Sequence, residues 1–318
     1  TMDCVSDLAK DGKPVIHITH VQFCGFGGKD WRSLSSKADK IAKYVNAHPH
    51  VTIDLGQVVF TDATTMTADG PFQFILHQLT GNKWVNADVE AETGAGIVPF
   101  RYRRSNYVHA VQWTIGLELM LMIKDPWRVY LTTDHPNAGP FVCYPLVISW
   151  LMSKPARERI LEKIPRMSRA RSNLAAVDRE MDLYEIAIVT RAGTAKALGL
   201  KNKGHLGVGA DADVSVYPID PRAVDPSKEH KKVAKAFSNA YYVIKGGEII
   251  VDKGEIVSAP MGSTYWVRAT PKVKPDLLSA MLSELRPKFE EYYTVRMENY
   301  VIPEHCLAKS SPMEVGAA

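Results

Sequence analysis

Three short apolar runs constrain the fold of this chain more than any other feature. They are Pro14-Val-Ile-His-Ile-Thr-His-Val-Gln-Phe23, Val51-Thr-Ile-Asp-Leu55 and Arg128-Val-Tyr-Leu-Thr-Thr133. The first is β-branched and apolar on both sides of the alternation, the pattern of a strand covered on both faces in a parallel sheet, and the other two read as the next strands. A helix is expected from about Ser33 to Asn46, and an amphipathic helix over residues 107–123. Two or three further helices are expected up to about Arg191. Alternation of strands and helices, with long loops after the strands, predicts βα units in a parallel sheet or barrel.

After Leu198 the texture changes. Gly204, Gly207 and Gly209 lead into a strand over Ala212-Asp-Val-Ser-Val-Tyr217, and Ala240 to Val257 reads as short strands joined by glycine-containing turns. A small antiparallel unit is expected there. A last helix is expected at about Pro275–Tyr292, followed by a tail.

Composition excludes several classes. The 318 residues carry 39 basic and 35 acidic side chains, and 46% of them are apolar, a globular mixture rather than a disordered one. Arg101-Tyr-Arg-Arg104 and the stretch Lys228 to Lys235 read as solvated surface, so no nucleic-acid partner is expected. Cys4, Cys24, Cys143 and Cys306 form no CxxC pair and read as reduced thiols of a cytoplasmic protein. The apolar stretch 107–123 contains His109, Gln112 and Glu118, too polar for a membrane span. Gly204 to Asp213 precedes its strand instead of following one, which excludes a dinucleotide fingerprint, and Gly25-Phe-Gly-Gly28 lacks the Lys-Ser/Thr of a phosphate loop.

Two strand ends carry residues suited to chemistry. His20 closes the first run and Asp134 closes the third, where His135-Pro136 breaks the strand. Catalytic groups gather at the C-terminal ends of strands in parallel α/β barrels. A carboxylate there can ligate a metal and exchange a proton with bound water. Taken singly, His20 also suits a hydrogen-bonded core histidine and Asp134 a turn or N-cap. His17, three residues before His20, is expected on the opposite face of the strand, so that at most one of the two reaches the mouth of the sheet.

The segment from Lys196 through Gly204-His-Leu-Gly-Val-Gly-Ala-Asp-Ala-Asp-Val-Ser-Val-Tyr217 resembles the barrel-exit segment of the amidohydrolase superfamily. Tyr242 to Val251 resembles the strands that those enzymes add after the barrel. Narrower likenesses lie in Leu131-Thr-Thr-Asp-His-Pro-Asn-Ala-Gly-Pro-Phe141, Trp150-Leu-Met-Ser153, Asp88-Val-Glu-Ala-Glu92, Gln112-Trp-Thr-Ile-Gly-Leu-Glu118 and Thr65-Met-Thr-Ala-Asp-Gly-Pro71. With these, the chain resembles the A subunits of formylmethanofuran dehydrogenases. The A subunits of bacterial formyltransferase/hydrolase complexes, close relatives of that family, are the main alternative within it.

The resemblance implies an α/β fold. It would be the C-terminal part of a metal-dependent-hydrolase (β/α)8 TIM barrel, about strands 6–8, in residues 1–195. A small β-sandwich would follow in 196–270, and a C-terminal helix and tail in 271–318. It implies that Asp134 is a metal ligand and general acid/base and His20 a metal ligand. Arg32 is the candidate for holding a formate carboxylate, for which a bidentate guanidinium is suited; a surface arginine at a helix start is the alternative. Asp69 is the candidate for contacting the amine substrate, with a turn-forming aspartate as its alternative.

The implied reaction is reversible condensation of formate with the amine of methanofuran, or hydrolysis of N-formylmethanofuran, at two divalent metal ions, zinc by expectation. Tungsten or molybdenum pterin and iron–sulfur clusters would belong to partner subunits of a hetero-oligomeric complex, among them a formate-dehydrogenase-type subunit. The family's His-x-His pair, carboxylated lysine and further histidine have no counterpart in residues 1–318. The expectation is therefore an incomplete version of a longer protein. A non-catalytic scaffold that retains half a barrel, and a generic cyclic-amidase or deaminase relative, are the competing readings.

Overall fold

Strand β1 (Ile16–Ile18) opens the fold, and the chain then passes through a 3-10 turn (Val21–Cys24) into β2 (Phe26–Gly27), which pairs antiparallel with β3 (Ser35–Ser36). Helix α1 (Ala38–Ala47) carries the chain back to β4 (Val51–Asp54). The structure is a computed structural model that describes residues 14–30, 32–66, 97–262, 264–270, 274–292 and 310–316. The described residues fall into two units, the first within Thr1–Thr65 and Pro99–Ala259, the second within Met66–Val98 and Pro260–Ala318.

Strands β5 (Asp62–Met66) and β6 (Ile97–Arg101) form a two-stranded sheet. Helix α2 (Tyr107–Met122) then crosses to β7 (Val129–Tyr130). Strands β1, β4 and β7 form one parallel sheet in the order β1-β4-β7. Ile16, His17 and Ile18 lie opposite Val51, Thr52 and Ile53, and Ile53 and Asp54 lie opposite Val129 and Tyr130. Parallel neighbours need a crossover connection, and the crossovers contain α1 and α2, which pack on each other. All four residues of β4 are buried, so the three strands expected from the apolar runs are present, though shorter than the runs themselves.

Helix α2 differs from its expected amphipathic form. From Ala110 to Leu121 every residue except Gln112 is buried, so it is a core helix with almost no wet face. Asn106 caps its start, its side chain accepting from the Val108 and His109 amides. Arg179 donates to the Leu121 and Ile123 carbonyls at its end. Arg128 likewise donates to the carbonyl of Val45 in the last turn of α1 and to those of His48 and Val51 beyond it. A guanidinium placed there satisfies orphan carbonyls and complements the helix dipole.

Four short helices follow: α3 (Tyr144–Leu151), α4 (Lys154–Leu161), α5 (Arg166–Ala170) and α6 (Leu183–Ala187). A π-helical turn (Ile188–Ala192) joins α6 to α7 (Gly193–Ala197), and the Val189 carbonyl accepts the Leu131 amide just beyond β7. Strands β8 (Val214–Val216), β9 (Tyr242–Lys245), β10 (Glu248–Asp252) and β11 (Glu255–Ile256) make an antiparallel sheet in the order β11-β10-β9-β8, with helix α8 (His230–Ser238) inserted before β9. The glycine-rich run before β8 ends in an ion-pair knot. Asp213 accepts from Lys203, Lys245 and the Gly246 amide, which holds its carboxyl well below the usual carboxylate range.

In the second unit, β12 (Thr264–Thr270) pairs in parallel with β13 (Ser310–Gly316), and helix α9 (Pro275–Tyr292) occupies the range expected from the sequence. Among the described residues, no helix is long and apolar enough to cross a membrane. Cys24 and Cys143 are free thiols.

The fully buried Glu118 of α2 ties distant segments together. It accepts from Ser36 Oγ at 2.5 Å and from the Asn173 and Leu174 amides at 2.8 and 3.0 Å. Burial pushes its carboxyl above the usual 4.5, against the lowering effect of those donors. A carboxyl raised by folding binds its proton more tightly in the folded state, so it favours folding at low pH. That contribution is lost as pH climbs from 4.5 through the raised value. The thermal midpoint of the wild-type protein, followed by circular dichroism, will therefore fall across this window relative to that of Glu118→Gln.

Candidate active site

The C-terminal ends of β1, β4 and β7 lie side by side, and each contributes to one polar cluster. From β4 comes Asp54, a carboxylate on an otherwise apolar strand. Its Oδ2 lies 2.9 Å from His17 Nε2. Its Oδ1 accepts the His20 backbone N–H at 2.7 Å and lies 3.3 Å from Thr132 Oγ1. His17 Nδ1 lies 2.9 Å from Thr52 Oγ1, and its ring stacks on Tyr130 at 5.6 Å. The Asp54 carboxylate thus bonds to residues of the first and third strand ends from its place on the second.

Burial opposes ionisation of Asp54, but the His17 bond, the His20 amide and the nearby imidazoles prevail and hold its carboxyl below the usual 3.8. The His17–His20 relation differs from expectation. Strict alternation would send the two side chains to opposite faces, yet both histidines reach Asp54, and His20 Nε2 lies 3.8 Å from Oδ1. The strand ends at Ile18, and His20 sits in a left-handed turn with φ of +50°, so the two-residue period stops before it.

His20 then faces the third strand end. Its Nδ1 is 3.6 Å from Asp134 Oδ2, and both side chains are partly open to solvent. Asp134 also adopts a left-handed backbone, with φ of +46°. Among the described residues, only one other non-glycine, Lys253, has a positive φ. Such backbone is sparsely populated for residues with a Cβ, and it clusters where a side chain must be aimed. Asn137 Nδ2 donates to Asp134 Oδ2 at 2.7 Å and fixes the plane of the carboxylate. Tyr102, buried beside Val58 and Ala138, has its phenol pushed up to about 12 by burial and by the charge on Asp134, so it stays a neutral hydroxyl beside that carboxylate.

The structure therefore brings His20 and Asp134 together. Arg32 lies exposed in the loop between β2 and β3. There its amide is bound by Asp30 Oδ1 and its carbonyl accepts from Arg171. Among the described residues, no hydrogen bond or ion pair joins Arg32 to His20 or Asp134. Asp69 lies outside the described residues. Asp54 and Asn137 are site residues that the sequence patterns above do not single out, and His17 is one that they place on the wrong face. An aspartate at the end of a strand buried on both faces is the available signal for Asp54.

The chain belongs to the amidohydrolase family, whose model matches residues 1–251. It is 49% identical over 313 residues to Protein FwdA of Methanocaldococcus jannaschii, an alignment covering 96% of this chain and 54% of that protein. It is 40% identical over 260 residues to the A subunit of the formyltransferase/hydrolase complex Fhc of Methylorubrum extorquens, covering 78% and 44% respectively. Among solved structures, it is similar to a chain in the crystal structure of the formyltransferase/hydrolase complex FhcABCD of Methylorubrum extorquens with methylofuran. That match has a TM-score of 0.71 at 34% identity and covers 98% of this chain and 56% of the other. The chain spans about half the length of the curated relatives it matches.

Amidohydrolases typically bind divalent metal. An imidazole and a carboxylate are suitable donors, but a closed site needs three or more protein ligands. Among the described residues, no group of three or more His, Cys, Asp or Glu is placed to hold an ion. His17 and Asp54 are engaged with each other, which leaves His20 and Asp134 as a pair. The described residues therefore do not make a complete metal site.

Asp54→Asn keeps one acceptor oxygen and loses the charge that both histidines face. It will destabilise the protein by about 1–3 kcal/mol at neutral pH, the usual cost of leaving buried hydrogen-bonding groups unsatisfied. A lowered carboxyl stabilises the fold above pH 3.8, and this contribution disappears as pH falls through the lowered value. Denaturant titrations should show the wild-type protein losing more stability than Asp54→Asn on acidification below 3.8.

Proposed function

We propose that this chain is an amidohydrolase-type subunit that makes or breaks the C–N bond of a formamide. In one direction formate condenses with the amine of methanofuran; in the other N-formylmethanofuran is hydrolysed. The observation that carries this reading is the facing pair of His20 and Asp134, each aimed by a left-handed residue at the end of a parallel strand. The relatives support the substrate class. Protein FwdA is the 49% identical match, and the similar solved complex holds methylofuran.

In hydrolysis, Asp134 takes the proton of the attacking water and delivers it to the nitrogen of the leaving amine. This relay moves one proton and regenerates the carboxylate, giving formic acid and the free amine. The acid then gives its own proton to the amine or to solvent, and the acyl carbon leaves as formate. Asn137 keeps the carboxylate oriented for both transfers. His20 Nδ1 lies 3.6 Å from the same carboxylate oxygen. Arg32 and Asp69 are proposed to contact the formate and amine ends of the substrate.

Two divalent ions, zinc by this reading, would need donors beyond His20 and Asp134. The same shortage among the described residues favours the second reading, a scaffold subunit with no turnover of its own. In the first reading the protein works within a hetero-oligomeric complex of one-carbon metabolism and methanogenesis in the cytoplasm. Tungsten or molybdenum and iron–sulfur chemistry would sit in its partners.

The decisive variant is Asp134→Asn, assayed on N-formylmethanofuran in the protein purified with its bound subunits. Asparagine tolerates the left-handed backbone, so the fold is retained. Turnover will fall by about 100-fold or more, the usual contribution of a positioned acid/base, while circular dichroism and the thermal midpoint stay near wild type. Unchanged turnover would remove Asp134 from the proton-transfer role. A wild-type protein that hydrolyses no formamide would favour the scaffold.

A further inference from the structure

The segment Gln112-Trp-Thr-Ile-Gly-Leu-Glu118 lies on the core helix α2 and touches none of the reacting groups. Its Gly116 faces the loops that follow β1 and β4. A Cβ built on Gly116 would lie 2.1 Å from Gln22 Oε1 and 2.2 Å from Gln57 Oε1. A side chain there would have to displace the ends of two glutamines, which fill the notch.

Both glutamines are fully buried, and both hang close to the site. Gln22 follows His20 by two residues, and its amide donates to the Leu55 carbonyl. Gln57 follows Asp54 by three, and its amide donates to the Thr132 carbonyl at 2.7 Å. The Gln57 side chain donates from Nε2 to the Val58 and Trp113 carbonyls, which fixes its orientation and leaves Oε1 as an acceptor. That oxygen and both polar atoms of the Gln22 amide are buried without a partner.

Three buried amide atoms without a protein partner around one notch are rare in proteins. A half-turn of the Gln22 amide exchanges its oxygen and nitrogen, which are distinguished only by the bonds they make. Its NH2 then occupies the Gly116 notch beside Gln57 Oε1, as the donor which that acceptor lacks.

We infer that Gln22 and Gln57 clasp each other through their side-chain amides in the notch left by Gly116, and that this clasp positions the His20 turn against Asp54 and Asp134. Gln22, Gln57 and Gly116 are positioning residues. They touch no substrate and act through His20, whose left-handed turn has no side-chain cap of its own. The inference deepens the functional reading above and rests on it only for turnover.

A double-mutant cycle tests it, with two readouts taken on the same purified protein. Gln22→Met keeps the volume and removes the amide. In the wild-type background it should lower kcat by about tenfold, with KM for the formamide within about twofold. In the Gln57→Met background it should change kcat by less than about twofold, because the partner is already gone. The second readout is hydrogen exchange of the His20 amide, which reports the His20–Asp54 contact whether or not the protein turns over. Exchange should accelerate by about tenfold on Gln22→Met, and again only in the background that retains Gln57.

Equal effects of Gln22→Met in both backgrounds would overturn the clasp. Unaltered exchange and kcat in the wild-type background would overturn the positioning role. If Gln22→Met does not fold, Gln22→Asn withdraws the amide by one methylene and takes its place in the cycle. A wild-type protein without formamide turnover removes the functional reading, and the exchange readout then decides the clasp alone.

Discussion

The arrangement at the strand ends depends on the Asp54 carboxylate. It is a buried negative charge in an apolar sheet, a costly group unless every lone pair is used. The protein meets that demand with an imidazole and a backbone amide from the first strand and a hydroxyl from the third. These bonds stabilise the charge and also lock the three strands in one register. The His20 turn is held by its own amide, so its ring is free to face Asp134. A core electrostatic requirement thereby becomes the frame of a site.

A second layer lies behind that frame, on helix α2. Glu118 draws the β3 segment and the turn at Asn173 onto the helix, and Gly116 opens space for Gln22 and Gln57. The helix thus touches the loops that follow β1 and β4 without sharing in any chemistry. A glutamate and a glycine in a core helix are locally unfavourable choices, one for its charge and the other for its backbone freedom. Both become intelligible once their distant partners are in view.

Much of the architecture is legible in the sequence, and the reasons for the gaps are specific. Short β-branched and apolar runs locate β1, β4 and β7, and glycine-bounded β-branched stretches locate the small antiparallel sheet. His20 and Asp134 stand out because a polar residue ending a buried strand is conspicuous. Helix α2 reads as amphipathic because Glu118 looks like a wet face until Ser36 and the amides of residues 173 and 174 are seen to enclose it. Alternation sends His17 away from His20, but alternation holds only while the strand lasts. The register that sets Asp54 beside Tyr130 links residues 76 positions apart, and local pattern carries no trace of it.

The left-handed residues at His20 and Asp134 also bear on how such a site can change over time. Glycine would occupy both positions without steric cost, and a protein shaped by stability alone would drift toward it. Keeping a histidine and an aspartate there holds about 1–2 kcal/mol of backbone strain at each position. A lineage that lost the need for the pair would gain stability by giving it up. Glycine at either position would relieve that strain and remove one half of the facing imidazole–carboxylate pair.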